Sequence, residues 1–539
     1  MGARVPRART LLPTHNTNSP GRNKQKKRNK ANRLARTGSK AYNEGYMMSL
    51  ISTCAMAGVA EWVCCPGVLN APLVRALESS PTMHCWHMQD ERSAAYFALG
   101  RVQATARAVA VVAGSGSAAA ALMPAVVEAY YQRRPLIVIT LDEATPAEGT
   151  GAWGRIEQDS LFGLYASPTV ELSLPCSVAE LPDMVALCAE GFPIHLWVKC
   201  APGMRRGSGL AEVAEPPVAP RFRGSLVELS QMLRFHAREE GLLLILGELD
   251  PAEQESALWL ARTLRVPVLA EPTSGLREKL SSLLLPQDAA SELMADTPPR
   301  YVLRVGSVPA FPFWRELEDM EDTTEVYSIT RSGFAGLRRA SVVMEGDMEQ
   351  IMRAIDEVPH VGDVLGLLPR ARKHAARIEE SLFHEPDSTP ALVRAFSQYA
   401  CLAEVMFLGG SMAARLWGAY AQQQEPVYYV RSVSQAGGVD GAASAFLGNA
   451  VGAAFACALV EERTILRDMA AGALLPQLPG GKRIIAVLSQ EPPLLDLQEL
   501  ARLWHAEYYP IHCEADLEVI EGIGEEALAI LDLQTAGSR

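Results

Sequence analysis

Apolar positions along the chain fall into short runs rich in Val, Ile and Leu. Each run closes on a Gly-containing or polar turn and leads into a stretch with helical spacing. The first block has EWVCCPG, RAVAVVAGSGS and RPLIVITLDEA; the second has GLLLILGELD, VPVLAEPTSG, PRYVLRVGSVP and TEVYSITRSG; the third has AEVMFLGGS, PVYYVRSVS, KRIIAVLSQE and EYYPIHCE. Strands alternating with helices predict parallel sheets covered on both faces, that is, an α/β fold of doubly wound sheets. Turn residues cluster at VAEPPVAPRFRG (213–224) and DEVPHVGDVLGLLPRARKH (356–374), which divides the chain into a head (1–44) and three α/β domains, 45–215, 216–370 and 371–539.

Two stretches, Ala108–Val127 and Gly441–Val460, carry no charge over about a membrane's thickness. The first is broken by Gly114, Gly116 and Pro124 and reads as a buried strand, a turn and a helix. The second reads as a buried helix of small residues. Gly448 and Gly452 form a G-x-x-x-G, but in a segment too weakly apolar to span a membrane, so no membrane span is predicted.

Composition refines this picture in two places. The chain of 539 residues is 48% hydrophobic and 21% charged, ordinary for a multidomain globular protein. Its net charge of −12 argues against nucleic acid as a partner of the body, and the head stands apart: residues 1–43 hold twelve Lys or Arg and no acid, leaving 38 basic against 62 acidic residues elsewhere. Such a head is expected to be a disordered tail, an organelle-targeting segment, a tail for nucleic acid or a membrane surface, or the product of a start codon upstream of Met47 or Met48. The ten cysteines sit mainly in apolar runs, without a CxxC pair or zinc spacing, as buried free thiols of a cytoplasmic protein would.

The densest chemical signal is HMQDERSAAYFALGRVQA (87–104), with Asp90 and Glu91 just before a helical pattern. On elementary grounds both acids would favour a helix N-terminus. The surrounding residues add to that reading. GVAEWVCCPGVLNAPLVRAL (58–77) precedes the segment; AVAVVAGSGSAAAA, RRPLIVITLDEA and a turn leading to IEQDSLFG follow it; LGGSMAARLWGAY and SQAGGVDGAASAFLGNAVGAA come in the third block. In order and near-matching spacing, these resemble the motifs of the thiamine-diphosphate enzyme superfamily and, within it, the MenD family of menaquinone-pathway synthases. The resemblance covers roughly residues 45–510 and is weakest in the middle block.

The resemblance implies three doubly wound domains: pyrimidine-binding in type, then central, then diphosphate-binding in type. It implies thiamine diphosphate and Mg2+ as cofactors, with the cofactor between the first block of one subunit and the third block of another in a homodimer or homotetramer. Glu91 then hydrogen-bonds the aminopyrimidine ring; a carboxyl group in a mostly apolar pocket keeps its proton and is placed for acid–base work. Gly114, Ser115 and Gly116 match the strand end beside the cofactor. Gly438 and Val439 match the segment under its bend, and Ser411 and Arg415 match positions near the substrate. Val439 also reads as a core valine, and Arg415 as a surface arginine. The reaction implied joins a succinyl unit from 2-oxoglutarate to isochorismate.

Other positions depart from the pattern. Where the family has its G-D metal marker, this chain has Glu461 and Glu462, and the Asn-Asn turn falls near Ser489, Gln490 and Glu491. Glu462 and Gln490 remain candidate Mg2+ ligands, each one methylene longer than usual. The family's S-R-S reads Val68 to Asn70, the Arg of T-A-D-R is Glu143, and the Asn-Gln pair falls at Trp153 and Gly154. The Arg before G-x-S-G is missing, with Arg431 close by. Fewer arginines suit a less anionic substrate. Two further functions therefore stay open: a related decarboxylase or carboligase, and a non-catalytic scaffold subunit.

Overall fold

The computed structural model describes residues 44–143, 156–174, 180–200, 213–215, 222–355, 358–423, 429–438, 440–490 and 492–534. The basic head, Trp153, Gly154, Val439 and Glu491 lie outside the described residues.

Three all-parallel sheets follow one another. The first holds β1 (Glu61–Cys64), β2 (His84–His87), β3 (Val109–Ala113), β4 (Leu136–Glu143), β5 (Thr169–Leu174) and β6 (Ile194–Cys200), in the order β2-β1-β3-β4-β6-β5. The second holds β7 (Leu242–Leu246), β8 (Val268–Ala270), β9 (Tyr301–Val305), β10 (Glu325–Thr330) and β11 (Val342–Glu345), ordered β11-β10-β9-β7-β8. The third holds β12 (Val405–Gly409), β13 (Tyr429–Ser432), β14 (Phe455–Glu461), β15 (Lys482–Leu488), β16 (Glu507–Ile511) and β17 (Leu528–Leu533), ordered β13-β12-β14-β15-β17-β16. First and third sheets thus share one winding order. Central strands such as β3 and β7 are buried on both faces, which is why their sequences are unbroken apolar runs.

The charge-free stretch Ala108–Val127 is a strand, a glycine turn and helical segments (Ser117–Ala121 and Met123–Gln132), as its breakers predict. The stretch Gly441–Val460 departs from the single helix expected: it is a helix, Ala442–Asn449, a turn at Gly452, then β14. Both pieces are buried on all sides, so neither leaves a polar periodicity to separate them. Helix Leu367–His384 runs through the boundary drawn at 370/371, with Leu367 and Ala371 in the apolar cluster of the middle block. No helix among the described residues is long and apolar enough to cross a membrane.

One apolar cluster passes from the first sheet, through helices Glu91–Thr105 and Ala442–Asn449, into the third sheet. The two helices meet backbone to backbone. A Cβ on Gly100 would strike the Ala445 carbonyl, and one on Gly448 would strike that of Phe97. Only residues without a side chain allow this approach.

Candidate active site

Helix Glu91–Thr105 begins where β2 hands over to the sheet's carboxyl edge, the edge at which open α/β sheets place ligands. Asp90 caps it, accepting the Ser93 amide at 2.8 Å from an extended backbone. The capping task therefore falls on Asp90. Glu91, half-buried in the first turn, has no hydrogen bond or ion pair among the described residues. It lies close enough to Cys65, just past β1, to affect that thiol: burial pushes Cys65 up and the charges of Glu91 and Asp90 push it further.

The third block closes over this turn. Asp468 accepts the Ser93 hydroxyl at 2.6 Å, the Ser444 amide at 2.6 Å and the Ser444 hydroxyl at 2.9 Å. It is fully buried; burial pushes its carboxyl up to about 6, with the Ser93 and Ser444 bonds pulling the other way. Arg92 reaches Asp440 at 3.4 Å, and the Gln477 amide pairs with both backbone groups of His87 at 2.8 and 2.6 Å. Arg101 holds Glu61 through two bonds of 2.8 Å and donates to the Gly448 carbonyl at 2.9 Å. The segment around Gly438 lies on Tyr96, with the site of a Cβ at Gly438 3.8 Å from the tyrosine oxygen. Within one chain the first and third blocks meet along this seam.

Gly114, Ser115 and Gly116 follow β3, and Gly116, at φ 75, opens helix Ser117–Ala121. Ser411 and Arg415 lie on helix Ser411–Tyr420 with exposed side chains, and Arg415 contacts Met412 Sδ at 3.7 Å. Arg431 does not stand in for the missing substrate arginine. It is buried, donates to the Leu249 carbonyl and pairs with Asp250 at 3.6 Å. Asp250 also takes a two-pronged contact from Arg134 (3.0 and 2.7 Å) and one from Arg331. Burial raises its carboxyl, but Arg134, Arg331 and Arg431 outweigh that and hold it well below the usual range. This junction of three blocks was not anticipated from sequence; its one linear signal is the acid pair closing GLLLILGELD.

Glu461 and Glu462 leave the carboxyl end of β14, between the loops that follow β12 and β15. Glu461 accepts the Met412 amide at 2.7 Å and Arg463 Nε at 2.7 Å. Glu462, expected as a metal ligand, turns its carboxylate onto the backbone amides of Gln490 (3.1 Å), Leu494 (2.7 Å) and Leu495 (2.7 Å). Gln490 meets it through its amide, with the side chain exposed. Among the described residues no three His, Cys, Asp or Glu side chains gather as a metal site.

Three all-parallel doubly wound sheets in succession, the first and third with the same strand order, are the architecture of the thiamine-diphosphate class of α/β enzymes. A solved chain from Mycobacterium smegmatis described as a thiamin diphosphate-dependent enzyme superposes with TM-score 0.65 over 92% of this chain and 99% of its own, at 15% identity, and so shares the fold. Residues 46–161 match the family described as thiamine pyrophosphate enzyme, N-terminal TPP binding domain. A protein of Akkermansia muciniphila named 2-succinyl-5-enolpyruvyl-6-hydroxy-3-cyclohexene-1-carboxylate synthase is 40% identical over 90% of this chain and 95% of its own length. One of Bdellovibrio bacteriovorus with the same name is 28% identical over 80% and 82%. The chain belongs to the MenD family.

The residues fit the pyrimidine end of the cofactor. Glu91 is half-buried, without a hydrogen bond or ion pair among the described residues, and the Gly438 segment packs on Tyr96 of the same helix. They do not fit a metal-bound diphosphate as arranged, because protein carboxylates hold the amides of Met412, Gln490, Leu494 and Leu495.

Proposed function

We propose that this chain joins the succinyl unit of 2-oxoglutarate, after loss of carbon dioxide, to isochorismate, in the manner its relatives' names describe. The observation that carries the reading is Glu91: its neighbour Asp90 does the capping, so its carboxylate is left for a ligand at the seam. Thiamine diphosphate, when bound, supplies the electron sink that such a decarboxylation requires. Glu91 holds and shares a proton at the ring nitrogen. Gly114 to Gly116 and Gly438 form the backbone walls, and the role of the aliphatic side chain under the cofactor's bend falls to Val439. Ser411 and Arg415 reach the substrate, Arg415 as a fork for one carboxylate.

A homodimer or homotetramer is part of the proposal. Val68 (94% exposed), Met412 and Leu494 are exposed apolar side chains following strand ends that such an assembly would cover. No disulfide joins the nine described cysteines, which supports a cytoplasmic protein.

The test is a melting curve with thiamine diphosphate and magnesium, followed by turnover of 2-oxoglutarate with isochorismate as acceptor. A raised midpoint and succinylated product are expected. Binding without product moves the chain to another carboligation, and neither effect returns it to the scaffold role.

A further inference from the structure

The two acids at the end of β14 differ in how they are held. Glu462 is wholly buried and locked by three backbone amides. Glu461 is nearly buried, but only one of its oxygens faces an amide, that of Met412 at the head of helix Ser411–Tyr420. Its other oxygen is tied to Arg463, a side chain 45% exposed. Its exit to solvent therefore lies along the arginine.

The helix head is built around this carboxylate. Gly410 precedes the helix at φ 114, and a Cβ there would collide with Glu461 Oε1. A helix N-terminus offers unpaired amides and a favourable dipole to an anion. Here the bound anion belongs to the protein.

We infer that Glu461 is a built-in occupant of the anion seat at the head of helix Ser411–Tyr420, and that it competes there with the cofactor's diphosphate. The inference rests on the proposed cofactor. On this inference the diphosphate enters as Glu461 swings out with Arg463, while Glu462 stays on the amides of Gln490, Leu494 and Leu495.

The test is calorimetric titration of the full chain with inorganic pyrophosphate and with thiamine diphosphate, each with and without magnesium, on wild type, Glu461→Gly and Glu461→Gln. Removing a like charge and freeing one amide should tighten pyrophosphate binding about tenfold or more in Glu461→Gly, the scale of a hydrogen bond to a charged group. Glu461→Gln keeps the shape without the charge and should fall between. Melting curves report whether each variant is folded; if the glycine variant is not, the glutamine variant decides. Pyrophosphate binding no tighter than wild type in the folded variants overturns the inference. The pyrophosphate arm needs no turnover: a gain in affinity with no succinyl product sinks the proposed reaction and leaves the seat standing, whereas product without a gain does the reverse.

Discussion

Ser93 donates its hydroxyl to Asp468 at 2.6 Å, two residues past the glutamate proposed for the cofactor ring, and so fastens the first turn of helix Glu91–Thr105 to the third block. Because Asp468 is buried, its carboxyl titrates at about 6 in the folded chain, against roughly 3.9 when unfolded. The folded state therefore binds this proton more tightly. Its contribution to stability is complete below about pH 4 and is lost as pH rises through 6, on the order of 2–3 kcal/mol in all. Denaturant unfolding across that window should show this limb in wild type, and Asp468→Asn should lack it.

Glu91→Gln should lower turnover on the order of a hundredfold or more, the range for removing a positioned acid–base group. It should leave the melting temperature nearly unchanged, since the carboxylate has no protein partner among the described residues. If the residue serves only the helix end, activity survives and stability falls by a few tenths of a kcal/mol.

Gly100→Ala places a methyl group against the Ala445 carbonyl. The two helices must part, at a cost of about 1–3 kcal/mol by the usual penalty for overpacking. The denaturant midpoint should fall, and protease cutting should rise between the first and third blocks.

Arg134→Met removes one of three guanidinium groups around Asp250 and also the ion partner of Glu248 at 3.5 Å. Leaving buried carboxylates short of charge costs about 3–5 kcal/mol. The loss should show in thermal melting without cofactor, and replacing Asp250 by Asn in the same chain should recover part of it.

Apolar runs were legible wherever a strand is flanked by turn chemistry, as in VAVVA before Gly114 and LLLIL before Gly247. The short β2, HCWH, has too little apolar content to register, and β14 is hidden in an Ala-rich continuation of the preceding helix. At the site, the acid pair 90–91 was found from sequence, but its division of labour was not: which acid caps depends on backbone angles at Asp90. Glu462 and Gln490 were read as ligands because residue type suggests oxygen donors, and only coordinates show which way a carboxylate turns. Arg431 misled in the same way. Its nearness along the chain to the glycine segment says nothing of Asp250, 181 positions earlier.

Asp250 receives an arginine from each of the three blocks: Arg134, Arg331 and Arg431. Peeling away the first or third block would leave Asp250 with two of its three arginines, and peeling away the middle one would strand Arg134 and Arg431 without their acid. The chain should accordingly melt as one cooperative unit, without a partly opened intermediate, and an insertion that severs the blocks should yield fragments unable to fold separately.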